Sequence, residues 1–279
     1  MKISELYGNG CRILENAGIE NFKNEARWIF ESVFECGREY LVFYSSSHAD
    51  SAKEEIYFQK INRRAEGVPV QYVIGAWDFY GDSYAVGDGV LIPRPETELL
   101  VDFALDFLKD KTNPVVFDLC SGTGCIGLSV ARNKPDAKVV LIEKSPDALK
   151  YLKKNVSDSG CGNVLVINGD VLLGFDLFDL PKPDLILSNP PYIESDDIAA
   201  LQSEVHYEPV MALDGGSDGM IFYNAISEKW INECSAVAVE CGEGQADSII
   251  KLFSEKFADV FFVKDFNGIE RVVVGKERK

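Results

Sequence analysis

The chain has 279 residues, 46% of them hydrophobic and 26% charged, which is the balance of a globular protein and excludes a collagen, a disordered tail or a disulfide-dense mini-protein. Its 28 Lys+Arg against 45 Asp+Glu leave a net charge of −17, a field that repels a phosphate backbone, so no direct nucleic-acid contact is expected. No apolar run approaches a membrane span of ~20 residues, the start lacks a signal-peptide core, and seven scattered cysteines with two histidines give no zinc spacing, so a cytoplasmic chain without a metal is expected.

In chain order, Ile3, Leu6, Tyr7, Ile13, Leu14 and Ala17 recur mostly at three- and four-residue steps and stop at Gly18. Phe22, Ala26, Ile29, Phe30 and Val33 repeat the pattern as far as Gly37, and a third helix is expected from Asp50 to Ala65. No residue there carries obvious chemistry. Residues 1–66 therefore read as a small helical domain that recognises rather than reacts. Gly67-Val68-Pro69 punctuates its end. Residues 67–92 are rich in aromatic and β-branched residues broken by glycines, with Gly81-Asp82 as the expected turn of a β-hairpin linker.

From 93 to 279 strands and helices alternate. Pro95 and two acids, Glu96 and Glu98, open a helix of sequence PETELLVDFALDFLKD, and VVFDL, KVVLIE, NVLVIN, DLILSN and AVAVE read as short apolar strands with helices between them. Ser145-Pro146 caps one of those helices. Asn267-Gly268 joins a closing hairpin. The alternation predicts an α/β domain whose mainly parallel sheet is covered by helices, with one antiparallel strand added at the end.

Between VVFDL and its helix, Gly122, Gly124 and Gly127 satisfy G-x-G-x-x-G, and Glu143 follows at the end of the next strand. By pattern alone this is a nucleotide fingerprint. Asp118, four residues before Gly122, disfavours a diphosphate and suits a ligand bearing ammonium and sulfonium charges. S-adenosyl-L-methionine is such a ligand. Glu143 is placed for its ribose hydroxyls and Asp170 for its adenine amino group, since open α/β sheets bind ligands at the carboxyl ends of their strands.

DLILSN runs into Asn189-Pro190-Pro191-Tyr192, a rigid loop at the same edge. An amide or aryl-amine nitrogen is a poor nucleophile because its lone pair is delocalised. The Asn189 side-chain oxygen and the Pro190 carbonyl are suited to accept from its two N–H bonds, holding it and stabilising its developing positive charge without a strong base. The Tyr192 ring suits the substrate plane or the sulfonium.

These residues resemble the HemK/PrmC family of protein-glutamine methyltransferases, through VPVQYVIGAWDFYG, LIPRPETELLVDFAL, DLCSGTGCIGLSVA, the Asn189–Ile193 loop, EVHYEPVMALDGGSDGM and DFNGIERVV. The resemblance implies a helical bundle, a β-hairpin linker and a Rossmann-like class I S-adenosylmethionine-dependent methyltransferase domain. It also implies methylation of the glutamine of a Gly-Gly-Gln motif in peptide-chain release factors. A monomer is expected. Asp118, Cys120, Ser121, Gly122, Thr123, Gly124, Glu143, Asp170 and Val171, with Thr97 and Asn189, are the expected cofactor contacts. Arg94, Glu96, Asn189, Pro190, Pro191 and Tyr192 are the expected substrate contacts, with Asn189, Pro190 and Tyr192 at the chemistry. Glu208-Pro209 is expected to support the Asn189–Tyr192 loop. The chain departs from the family pattern at Cys120, where glycine is usual, and at Glu143, where aspartate is common.

The enzyme alternative is an amino-group DNA (adenine) methyltransferase, which uses a similar loop but needs a basic groove and a flipped base. A nucleoside-binding regulator would not need the amide clamp. A nicotinamide dehydrogenase is disfavoured by Asp118.

Overall fold

The apolar stripes of the first 65 residues form α1 (Ile3–Asn16) and α2 (Phe22–Phe34), a single-turn α3 (Tyr40–Phe43), and α4 (Ser51–Ala65). They belong to a computed structural model that describes residues 1–279, the side chain of Glu233 excepted. Leu6, Leu14, Ala26, Ile29, Phe30, Tyr57 and Ile61 are buried together, and Asp50 caps α4 by accepting from Ala52 N–H at 3.0 Å and Lys53 N–H at 3.1 Å. Residues Val70–Ile74, which share the β-rich composition of the expected linker, fold instead as a short helix, α5. Pro69 stands at its N-cap, and Gly75, at φ 91°, closes it by donating to Gln71 O at 2.8 Å. Local caps have overruled β-propensity.

The chain divides into two compact units, Met1–Ala76 with Gln202–Tyr207, and Trp77–Leu201 with Glu208–Lys279. The expected linker therefore forms no unit of its own. Its hairpin, β1 (Ala76–Phe79) and β2 (Asp82–Ala85), sends Phe79 and Tyr84 into the core of the second unit. The turn is Tyr80-Gly81 rather than Gly81-Asp82, with both residues at positive φ, 50° and 81°, the geometry that matches strand twist in a two-residue loop. Glu98 steadies it by accepting from Tyr80 N–H at 2.7 Å.

The second unit is built on β3 (Val115–Leu119), β4 (Lys138–Glu143), β5 (Val164–Asn168), β6 (Leu185–Ser188), β7 (Ala236–Glu240), β8 (Phe257–Lys264) and β9 (Glu270–Arg278). They form one seven-stranded sheet in the order β5-β4-β3-β6-β7-β9-β8, and β9 alone runs against its neighbours. The intervening helices are α6 (Glu98–Leu108), α7 (Cys125–Asn133), α8 (Pro146–Ser159), α9 (Ile221–Lys229) and α10 (Ala246–Phe253). Leu100, Leu128 and Leu152 from α6, α7 and α8 pack on one face of the sheet. Ile226 and Ile249 from α9 and α10 pack on the other. The sheet is thus Rossmann-like. Register places Leu119 beside Ile142 and Ser188, and Ser188 beside Val239, so residues just beyond these positions share one edge. The strand order reverses at β3, where such sheets open a ligand crevice.

The closing hairpin also departs from the simplest expectation. Asp265 N–H donates to Ile269 O at 2.8 Å, and the Asp265 carboxylate accepts from Asn267 N–H and Ile269 N–H. The Asp265 side chain has thereby selected a three-residue loop in which Gly268 alone has positive φ, 81°.

Candidate active site

A cavity lies at the carboxyl edge of the sheet, with about 890 Å3 of empty space when the solvent in its open mouth is included. Cys120, Ser121, Gly122, Thr123, Glu143, Asp170 and Val171 line one part, and Arg94, Thr97, Asn189 and Pro191 line another. Asp118, Gly124, Pro190, Tyr192 and Glu96 are not on its wall.

The glycine loop is held from beneath. Ser121 Oγ donates to Asp118 O at 2.7 Å, and Asn155 on α8 donates to Thr123 O at 2.9 Å. Gly122 and Gly124 have φ of 55° and 82°, so a side chain at either would be strained. Cys120 adopts the same left-handed backbone, φ 59°, at a cost of roughly 1 kcal/mol or more; its side chain packs against the buried α9–α10 face. This is the physical content of the departure from glycine. Burial beside Glu143 and Asp118 pushes its thiol pKa well up, so it stays protonated and is no nucleophile.

Asp118 lies under the loop, fully buried. Its Oδ2 accepts from Gly127 N–H at 3.0 Å in the first turn of α7, while Oδ1 is the one fully buried side-chain polar atom without a partner among the described residues. Burial raises its pKa to about 7. Asp118 therefore braces the helix N-terminus instead of facing the cavity. A pyrophosphate would need that terminus.

Glu143 accepts from Gly122 N–H at 2.8 Å through Oε2 and from Ser145 N–H at 2.7 Å through Oε1. Burial raises its pKa, opposed by these backbone donors. Each oxygen keeps a second lone-pair direction for a hydroxyl. Asp170 caps its own turn by accepting from Leu172 N–H at 2.9 Å and pairs with Lys144 at 2.8 Å. Two acids at successive strand ends, with the apolar Val90, Ile142 and Val171 beside them on the wall, fit a nucleoside whose other end is cationic.

Asn189 Nδ2 donates to Thr97 Oγ1 at 3.1 Å, and Thr97 in turn donates to Glu240 Oε2 at 2.5 Å. Among the described residues no donor reaches Asn189 Oδ1 or the Pro190 carbonyl. Asn189 is on the cavity wall, so its Oδ1 is free for a substrate NH2, whereas Pro190 lies off that wall.

Tyr192 points away from the cavity. Its ring packs by Gly242, where an added Cβ would lie 3.2 Å from Tyr192 Cδ2, and burial raises its hydroxyl pKa. Two prolines fix the loop's direction, and the ring anchors it in the core.

Glu208 does not support this loop. Its carboxylate accepts from Ile92 N–H at 3.0 Å and pairs with Arg94, so it fastens the segment that carries Thr97. The Asn189–Tyr192 loop is braced instead by Gln245, which donates to Tyr192 O at 2.9 Å, and by Ile193, which exchanges bonds with Leu213 O and Gly215 N–H. At Gly219, φ 67°, an added Cβ would fall 2.4 Å from Tyr192 O. Gly219→Ala should lower the unfolding free energy by about 1–3 kcal/mol, read by denaturant titration. An unchanged midpoint would show that the contact yields freely. Glu240, Gln245, Asn155 and Gly219 were not singled out by their sequence.

The PrmC N-terminal domain model matches residues 5–75, and the Methyltransferase small domain model matches residues 97–217. A release factor glutamine methyltransferase of Thermodesulfovibrio yellowstonii is 40% identical over 227 residues, covering 78% of this chain and 80% of its own. That of Geobacter sulfurreducens is 37% identical over 270 residues, with 94% and 92% covered, and that of Clostridium botulinum is 31% identical over 284 residues, with 100% of both. Among solved structures, the hMettl16 catalytic domain in complex with the MAT2A 3'UTR hairpin 1 has a TM-score of 0.59 at 12% identity, covering 90% of each chain, a likeness of fold.

Proposed function

The chain belongs to the family of release factor glutamine methyltransferases, and we propose that it methylates the side-chain amide nitrogen of the glutamine in a release-factor Gly-Gly-Gln motif with the residues described above. S-adenosyl-L-methionine, when bound, supplies an electrophilic methyl group on a sulfonium. Glu143 would hold its ribose hydroxyls, Asp170 its adenine amino group, and the open face of Gly122 would admit its backbone approach.

Asn189 Oδ1 and the Pro190 carbonyl accept the two N–H bonds of the substrate amide. The nitrogen gains a bond to the methyl carbon as that carbon's bond to sulfur breaks, the electron pair leaving with a neutral thioether, and it gives up one proton to water. As its charge grows, both hydrogen bonds strengthen, which is why no imidazole or thiolate is needed. The observation that carries this reading is the unclaimed Asn189 acceptor on the cavity wall, held on a loop fixed by two prolines. The helical unit, which carries no such constellation, recognises the protein substrate, and the enzyme acts as a monomer without nucleic acid. No described helix is long and apolar enough to cross a membrane.

Incubation with labelled S-adenosylmethionine, a release factor and duplex DNA in one tube tests the substrate class. Label is expected on the protein; label on DNA would favour the adenine alternative. For the cofactor, Glu143→Ala should weaken binding by about 1–3 kcal/mol, because it leaves ribose hydroxyls facing an apolar wall. Unchanged affinity in a calorimeter would remove Glu143 from the site.

A further inference from the structure

Three side chains from separate elements meet in a line at the sheet edge: Glu240 ends β7, Thr97 ends the turn before α6, and Asn189 opens the loop after β6. Thr97 and Glu240 are 2% and 3% exposed, so solvent does not substitute for either partner. A hydroxyl has a single proton to give, and a carboxylate only accepts. While Glu240 is ionised, the Thr97 proton points to it and the Thr97 lone pairs face Asn189. The Asn189 amide must then turn its NH2 toward Thr97 and Oδ1 toward the cavity. The flipped amide would set two oxygens against each other with no proton between them.

We propose that Glu240 is a positioning residue for methyl transfer: through the Thr97 hydroxyl it fixes the orientation of the Asn189 amide, so that an acceptor and not a donor meets the substrate nitrogen. This deepens, and rests on, the reading of Asn189 as an acceptor for the glutamine NH2.

Protonation reverses the line. A neutral Glu240 has a proton to give to Thr97, whose own proton then turns to Asn189 and favours the flipped amide, presenting NH2 to NH2. Burial pushes the Glu240 carboxyl up to about 7; the Thr97 hydrogen bond opposes the shift, as do Arg271 on β9 and Arg94, while Glu96 reinforces it. Tyr192, Cys241 and Cys125 on α7 also feel its charge, and Tyr223 on α9 donates to its backbone oxygen at 2.8 Å. The line is therefore set above about pH 7 and released below it.

The test pairs kinetics with the side-chain amide signal of Asn189 in 15N-labelled, cofactor-free protein. At about pH 8, Thr97→Val should lower kcat about tenfold, the worth of one hydrogen bond, with KM for the protein substrate within about twofold. Thr97→Ser, which keeps the hydroxyl, should stay within about threefold. Wild-type kcat should show an acid limb near 7 that is lost in Thr97→Val and Glu240→Gln. One Asn189 amide proton should be held in wild type and Thr97→Ser, released in Thr97→Val, and released in wild type on acidification to about pH 6. A Thr97→Val enzyme with wild-type kcat, or an Asn189 signal indifferent to both pH and the hydroxyl, would overturn the proposal. The NMR arm judges the line even if wild type fails to methylate a release factor, so the two failures are separable. The wild-type titration judges it even if a variant fails to fold.

Discussion

Asn189→Ala is expected to cut turnover by about 10²–10³-fold, the loss typical of one preorganised contact to developing charge, while affinity for S-adenosylmethionine stays nearly intact. The residues assigned to that cofactor, Glu143 and Asp170, lie at the ends of β4 and β5, whereas Asn189 follows β6 and bonds only to Thr97 among the described residues. Alanine deletes the acceptor without disturbing the strand, whose Ser188 Oγ still donates to Leu119 O at 2.7 Å. The loss should fall on kcat more than KM, because the hydrogen bond gains strength as the nitrogen gains charge. Turnover within a few-fold of wild type would reduce the tetrapeptide to a turn. Collapse of cofactor binding in a folded variant would make Asn189 part of the cofactor pocket.

The largest stability effect belongs to the helical unit. Arg64, 2% exposed, pairs with the buried Glu25 and, at 2.5 Å, with Glu204 from the returning segment. Arg64→Ala leaves Glu25 buried without its cation, a loss of about 3–5 kcal/mol. Amides in α1, α2 and α4 should then exchange with solvent roughly 10²–10³-fold faster or more. Replacing Arg64 and Glu25 together by methionine should cost far less, since no charge is stranded. Equal damage from the single and double replacements would mean that packing, not the ion pair, carries the contribution.

Much of this was legible in the chain because each signal was local. Apolar runs of four to six residues between caps and glycines gave the strands of the sheet, and Ser145 caps α8 as its sequence suggests, accepting from Ala148 N–H at 3.3 Å. The Asn189–Tyr192 loop and the glycine turn were found by pattern, and the sheet brings both to one edge. Relations across the chain were illegible. Thr97 and Glu240 are 143 positions apart, and the glutamate that ends AVAVE reads as a solvated strand end. Asp118 looked like a ligand group for the same reason; its burial depends on where α7 returns over β3. The segment 202–207 lies within a run of methyltransferase sequence yet belongs to the helical unit, where Tyr207 donates to Glu66 O at 3.1 Å.

Amide methylation at a glutamine is the central claim, and site-localised tandem mass spectrometry of a treated release factor tests it most directly. One methyl group is expected on the side-chain nitrogen of the glutamine in the Gly-Gly-Gln motif, absent when that glutamine is replaced by glutamate. A methyl group on another residue, or transfer undiminished by the replacement, would contradict it.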